Sequence, residues 1–381
     1  MIDERIAALS VRALRSKGVA PRMRQKRVET IVAIQVLRAI AALAVVLSHS
    51  AFDLQRFGYG SPGPLSHFHL GDAGVDLFFV ISGFVMVYAS EPLFGRAIGA
   101  LSFFIHRLIR IVPLYWLVTT IYVAISMPTA TYDLQTIAAS YLFVPLPRPD
   151  GIMQPIVGQG WTLNYEMFFY VIFALAVLVP LRAAVIAASC TLFVMVAAGH
   201  VFAPLPPASG FWTDSIVLEF VFGMLIGLAY SEGVTLKQSI AVSLILFGFI
   251  LIASGELVPH EIRVVWWGIP AALIVTGATF GRFAMRGPVW RPLVIVGNAS
   301  YALYLIHPAP IRAVLMLARW IGFDLGQALW LYVSAAVVLS TLLAVVIYFW
   351  LERPVTTAMR RLAERSLDRL MIVEAESRPV E

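Results

Sequence analysis

The sequence predicts an all-α protein, a polytopic transmembrane helical bundle of about ten spans. Three observations carry that prediction. Hydrophobic residues make up 60% of the 381 residues and charged residues only 13%, whereas a soluble domain carries about 25% charged residues. Mean hydropathy is +0.85. Apolar runs near the ~20 residues that cross a bilayer recur along the whole chain. Backbone polar groups in lipid must be satisfied internally, so these spans are expected as helices, and the short alternating segments of a barrel do not occur in the sequence.

Residues 1–30 carry eight Lys and Arg, from Arg5 to Arg27, and no apolar run. They read as a basic cytoplasmic segment lying on anionic lipid. No cleavable signal is evident, because polar and basic residues precede a first apolar run long enough to anchor the chain. Residues 31–354 form the membrane domain and 355–381 a cytoplasmic tail. The expected spans are Ile31 to Phe52, Val75 to Ser90, Leu108 to Ser126, Trp161 to Leu181, Ala183 to Phe202, Trp212 to Tyr230, Lys237 to Ser254, Arg263 to Phe280, Pro292 to Ala318 and Gln327 to Leu351. Ile137 to Val144 is apolar but short, and Pro145, Pro147 and Pro149 follow it. It is either a re-entrant or interfacial piece, or an eleventh span that reverses everything downstream.

Charge arbitrates the orientation. With ten spans and the N-terminus inside, the inner segments hold 22 of the 28 Lys and Arg, which places both termini in the cytoplasm. The net charge of +6 does not point to nucleic acid, since the basic residues sit at the ends of spans. The single Cys190 cannot form an intramolecular disulfide and reads as a structural thiol in an apolar run. No internal repeat is visible, so the inverted-repeat signature of transporters is missing.

The polar residues inside the spans carry the chemistry. In Gln35 to Ser50, Arg38 and His49 stand eleven positions apart. That is about three turns with a remainder of roughly 20°, so both lie on one face, about 16 Å apart along the axis. The bland reading is that each merely snorkels to an interface. Arg107 and Arg110 share a face of the third span; alone they are a topology signal. With Arg38 in the same leaflet they make a site for a polyanion such as a phosphate-bearing cofactor. Glu166 is a carboxylate inside the fourth span, on the same outer side as His49, and can orient its imidazole or bond to a neighbouring Trp, Tyr or Asn. Asp76, at the outer end of the second span, caps that helix, pairs with a cation or serves a site. Ser82 and Gly83 read as close-packing residues. Ser300, Tyr304 and His307 fall on one face before Pro308 and Pro310, and His307 is a candidate for acceptor binding beside a core role. Glu219 and Arg312 are expected in structural pairs. His67 and His69 lack the companions of a metal site, so none is expected.

Six strings, in order from Ile34 to Pro354, together resemble the acyltransferase 3 family of integral membrane acyltransferases. They are Arg38 with His49, GVDLFFVISGF from Gly74, the Arg107–Arg110 pair, WTLNYEMFFY from Trp161, SYALYLIH from Ser300, and Glu352 with Pro354. The likeness is greatest to the bacterial branch that O-acetylates exopolysaccharide, and the short tail leaves no extra periplasmic esterase-like domain expected. The resemblance implies a multi-pass protein of the bacterial inner membrane. It implies that an acyl group, acetyl first, passes from cytoplasmic acyl-CoA to a hydroxyl of an exported or lipid-linked glycan. Acetyl-CoA is then a co-substrate and no cofactor is permanently bound. By the same likeness His49 is the essential histidine, helped by Glu166, and Arg38, Arg107 and Arg110 are the basic set that meets the co-substrate. Asp76, Trp161, Asn164, Tyr304 and His307 are the acceptor-side candidates. Implied partners are the glycan, membrane lipid, polysaccharide-assembly proteins or a second copy of the chain. The competing classes are a carrier of lipid-linked glycan without acyl transfer and a structural partner of a polysaccharide synthase.

Overall fold

The apolar runs fold as helices, and no strand occurs among the described residues. The computed structural model describes residues 21–57, 71–129, 132–255, 263–281, 283, 285, 287–323 and 329–376. Most of the basic N-terminal segment, His67, His69 and the end of the C-terminal tail lie outside them. Six helices are long and apolar enough to cross a membrane, or seven if one pair bent by 50° counts as a single span. Two shorter apolar helices and the 16-residue Trp161–Ala176 occupy the other expected positions.

The chain divides into two compact units. The first holds Met1–Val85 and Phe222–Val345. It is built from α1 (Pro21–Arg56), most of α2 (Ala73–Ser90) and, after the second unit's helices α3 to α7, from α8 (Leu218–Ser231) onward. There follow α9 (Gln238–Gly255), a π-helical turn into α10 (Ile269–Phe280), α11 (Arg291–Asn298), α12 (Ser300–Ile306), α13 (Pro308–Trp320) and α14 (Leu329–Ile347). α10, α11, α12 and α13 all pack on α1, which is the axis of the unit. Small residues allow the approach. A Cβ on Gly297 would stand 2.1 Å from the carbonyl oxygen of Gln35, so only glycine lets α11 meet α1 there. Gly83 packs against Gly223 of α8 in the same way, as its reading as a packing residue anticipated.

The second unit holds Met86–Val221 and Val346–Glu381. It contains α3 (Ala97–Ser126), α4 (Leu134–Tyr141), α5 (Trp161–Ala176), α6 (Leu181–Val201), α7 (Pro207–Trp212) and α15 (Arg353–Glu376). α3 is its centre, packed by α4, α5 and α15. Cys190 lies on the exposed side of α6.

The short apolar stretch after Asp133 does not cross. α4 has eight residues, about 12 Å of helix against a hydrocarbon core of about 30 Å. The Asp133 carboxylate caps its start, accepting from the Thr136 N–H at 2.8 Å. It ends at Tyr141, with Leu142 as the cap, before Phe143 enters the left-handed region at φ 58° with its ring stacked 4.7 Å from Tyr115. Pairings inside the first unit make the same point by parity. A ten-span path puts Thr30 and Tyr230 on one side, and Ser50 and Tyr332 on the other. The Thr30 and Tyr230 hydroxyls stand 3.2 Å apart, and the Tyr332 hydroxyl donates to the Ser50 carbonyl at 3.2 Å. One extra crossing near residue 140 would separate both pairs.

Candidate active site

α1 runs unbroken through Arg38 and His49, so the helical spacing argument holds and one face carries both. Arg38 donates from Nε and Nη2 to the Ser300 hydroxyl oxygen at 3.1 and 3.0 Å. Eleven residues along the same helix, the His49 ring stands edge-on to the His307 ring, centroids 4.8 Å apart at 65°. The seven residues from Ser300 to His307 rise about 10 Å, against about 16 Å from Arg38 to His49. The long Arg38 side chain covers the difference. α1 and α12 therefore run in the same direction, as the ten-span reading expects. A 50° bend separates α11 from α12, and both helices pack on α1.

Both imidazoles have a fixed tautomer. His49 Nδ1 lies 3.0 Å from the Val45 carbonyl oxygen. A carbonyl only accepts, so Nδ1 carries the hydrogen and, in the neutral ring, the lone pair sits on Nε2. In His307, Nδ1 lies 2.8 Å from the Tyr304 carbonyl and 3.2 Å from that of Leu303. The sequence explains the first contact: Pro308 has no N–H to give the Tyr304 carbonyl four residues back, and the imidazole donates in its place. His307 is fully buried, and no described residue donates to its Nε2. Tyr304 is also buried, 6.1 Å from the Phe78 ring.

Asp76 is fully buried and held by one guanidinium: Arg263 donates from Nε at 3.0 Å and from Nη2 at 2.7 Å to its two oxygens. Nη2 also reaches the Asp72 carbonyl, and the Arg263 guanidinium lies 4.7 Å over Trp267. The carboxylate pairs with a cation, one of the roles its sequence position allowed. Arg312 Nε likewise stands 3.5 Å from Asp53.

In the second unit, α3 carries Arg107 and Arg110 on one face, but their surroundings differ. Arg110 forms an ion pair with Glu352, a carboxylate only 2% exposed. Arg107 is buried with its guanidinium 5.6 Å over the Phe103 ring, and its Nε has no acceptor among the described residues. On α5, Glu166 accepts from the Tyr170 hydroxyl one turn on. Trp161 packs edge-on to Tyr165, which stacks 3.9 Å from Phe211. Asn164 is buried, and its Oδ1 has no donor among the described residues.

Three partners escaped sequence reasoning: Ser300 for Arg38, Arg263 for Asp76 and Glu352 for Arg110. They lie 262, 187 and 242 residues from their mates, beyond any spacing rule. The only signal was a charge inside an apolar run.

The family model for the acyltransferase 3 acyltransferase domain matches residues 31–349, all but the two ends of this chain. The chain belongs to the acyltransferase 3 family. Among the relatives of this acyltransferase is the exopolysaccharide production protein ExoZ of Rhizobium meliloti (strain 1021). It is 36% identical over 299 residues, which cover 76% of this chain and 90% of ExoZ. The acyltransferase MdmB of Streptomyces mycarofaciens is 31% identical over 351 residues, covering 82% of this chain and 86% of its own. YrhL of Bacillus subtilis (strain 168), a protein named for peptidoglycan O-acetylation, is 23% identical over 360 residues, and only 54% of its length is covered. No solved structure matches the chain.

Proposed function

We propose that this family member is a multi-pass enzyme of the bacterial inner membrane that O-acylates a glycan. The acyl group, acetyl first, comes from acyl-CoA at the cytoplasmic side, and the acceptor is a hydroxyl of an exported or lipid-linked glycan such as exopolysaccharide. The observation that carries this reading is His49: an imidazole with a tied Nδ1 and a free Nε2 lone pair, on a helix that also carries Arg38. That is the state a general base needs to take a proton from an attacking hydroxyl. The acyltransferase family and the likeness to ExoZ and MdmB support acyl transfer as the reaction. The excess of Lys and Arg in the expected inner segments supports a cytoplasmic donor side. In this reading Glu166 serves the chemistry, while Trp161, Asn164 and Tyr304 meet the glycan. Deleting the gene and measuring the O-acyl content of the exported glycans by mass spectrometry tests it. Loss of acyl esters from one glycan is expected; unchanged esters in every glycan remove the proposal.

Arg107 is assigned to the CoA phosphates ahead of Arg110. Arg110 already shares its charge with Glu352, and removing it breaks an ion pair of a buried carboxylate, which confounds any binding test. Arg107 has an N–H to give. Arg107→Gln is expected to raise the KM for acetyl-CoA roughly 10-fold to 100-fold, the size of one hydrogen bond to a charged group, and to leave kcat within a few-fold. An unchanged KM in isolated membranes takes Arg107 out of donor binding.

A further inference from the structure

We propose that the acceptor is an acidic glycan, and that Arg56 and Arg312 hold a carboxylate on it beside the hydroxyl that reacts at His49. The proposal rests on the acyl-transfer reading, with the acceptor on the outer side, and adds the chemical class of that acceptor. It starts from an exception. Of the 28 Lys and Arg, six lie outside the expected inner segments: Arg38, Arg56, Arg148, Arg263, Arg312 and Arg319. Three of them have partners that account for them: Ser300 for Arg38, Asp150 for Arg148 at 2.8 Å, and Asp76 for Arg263. The other three all belong to the first unit, on the side where the positive-inside bias predicts few cations.

Their placement follows the face of His49. α1 is helical through Arg56. Seven residues fall about 20° short of two turns, so Arg56 lies on the face that carries His49, about 10 Å beyond it. A molecule that reaches His49 along this face passes Arg56. α13 supplies the other two cations. Its Arg312 approaches Asp53, one turn beyond His49 on α1. Its Arg319 donates to the Phe57 carbonyl, one turn further still, with its guanidinium 5.2 Å over the Phe57 ring. Asp53 is buried, whereas the Arg312 side chain is 42% exposed and Arg56 and Arg319 are exposed. The charge presented is therefore positive. Asp53 does not saturate Arg312. Its closest approach is 3.5 Å, to Nε, beyond the about 2.7–2.9 Å of a charge-assisted bond. The terminal nitrogens remain for a second oxyanion.

A planar guanidinium matches a carboxylate edge to edge. Asp53, which marks the level of Arg312, and Arg56 itself stand about 6 and 10 Å along α1 from His49. The oxyanion they hold therefore sits on the reacting sugar or its neighbour, and this places it on the glycan and not on a distant carrier lipid. Headgroup phosphates of the surrounding leaflet share the chemistry, but only the acceptor has to lie against His49 and Arg56 together.

The test uses the cell's own exported polysaccharide, stripped of esters by mild alkali, beside the same polymer with its carboxylates converted to neutral amides. Both are offered with radiolabelled acetyl-CoA to the full chain in phosphatidylcholine nanodiscs. The wild-type KM is expected to be about 10-fold lower, or more, for the acidic polymer, the size of a hydrogen bond to a charged group. Added salt should erode that advantage. Arg56→Gln, a change at an exposed side chain, is expected to raise the KM for the acidic polymer up to about 5-fold, the upper end for an exposed charge pair, with kcat nearly constant. Arg56→Gln combined with Arg312→Gln should abolish the preference between the polymers. A polysaccharide that contains no acidic sugar or acidic substituent overturns the proposal, and so do equal wild-type KM values for the two polymers. An Arg56→Gln effect that is the same on both polymers and appears only when phosphatidylglycerol is added to the discs assigns the arginines to headgroups and overturns it too. A wild-type chain that moves no acetyl to either polymer removes the acyl-transfer reading itself, a result distinct from equal transfer to both.

Discussion

Replacing His49 by Gln is expected to lower acetyl transfer roughly 100-fold to 10,000-fold, the range by which a positioned general base accelerates proton transfer. Gln preserves approximate size and can still bond to the Val45 carbonyl, so the helix keeps its local structure while the basic lone pair is lost. The protein should therefore reach the membrane in normal amount, and the KM for acetyl-CoA should change little. Rates in membranes matched for protein content check this; a His49→Gln chain that transfers acetyl at the wild-type rate removes the base from His49. Steady-state kinetics then separate two uses of the same nitrogen. Double-reciprocal lines that intersect mark direct transfer, with His49 as base. Parallel lines mark an acyl-His49 intermediate, in which Nε2 attacks the thioester itself. The fixed tautomer serves both, since either requires the Nε2 lone pair.

How much of this was legible beforehand depends on whether the information was local. The helical class and the shared face of Arg38 and His49 follow from composition and a 3.6-residue period, and the structure contains both; apolar helices lie in the expected stretches, although only six or seven are long enough to cross and the stretch from Pro292 to Ala318 is broken into three. The face formed by Ser300, Tyr304 and His307 was legible for the same reason. The break at His307 was legible from Pro308 and Pro310, though not its consequence, that the freed Tyr304 carbonyl would orient the imidazole. Pairing was not legible. Nothing near Arg38 in sequence announces Ser300, and nothing near Arg110 announces Glu352. Such partners are chosen by which helices pack, and apolar runs of similar length look alike. The ambiguity over the stretch after Asp133 had the same origin: hydropathy sees eight apolar residues, whereas the cap, the left-handed Phe143 and the parity of distant pairs decide that it stays on one side.

The largest effect on folding is expected at Arg263 and not at its partner. Breaking a buried ion pair from one side costs about 3–5 kcal/mol, because the remaining charge is stranded away from water. Which side is removed decides where in that range the cost falls. Asp76 is fully buried, while Arg263 keeps 26% of its side chain exposed, with the Asp72 carbonyl and the Trp267 ring as further neighbours. Arg263→Ala therefore leaves a carboxylate with nowhere to go and is expected at the upper end. Asp76→Asn leaves a cation that retains partners and is expected at the lower end or below it. The double variant Asp76→Asn with Arg263→Gln should recover part of the loss, since two neutral groups can still bond to each other. Thermal unfolding of the detergent-solubilised chain measures all three. The alternative is that Asp76 meets the glycan acceptor. It requires the opposite pattern: an Asp76→Asn protein as stable as the wild type, whose KM for the acceptor rises. Two guanidinium bonds of 3.0 and 2.7 Å on a carboxylate without exposed surface favour the structural outcome.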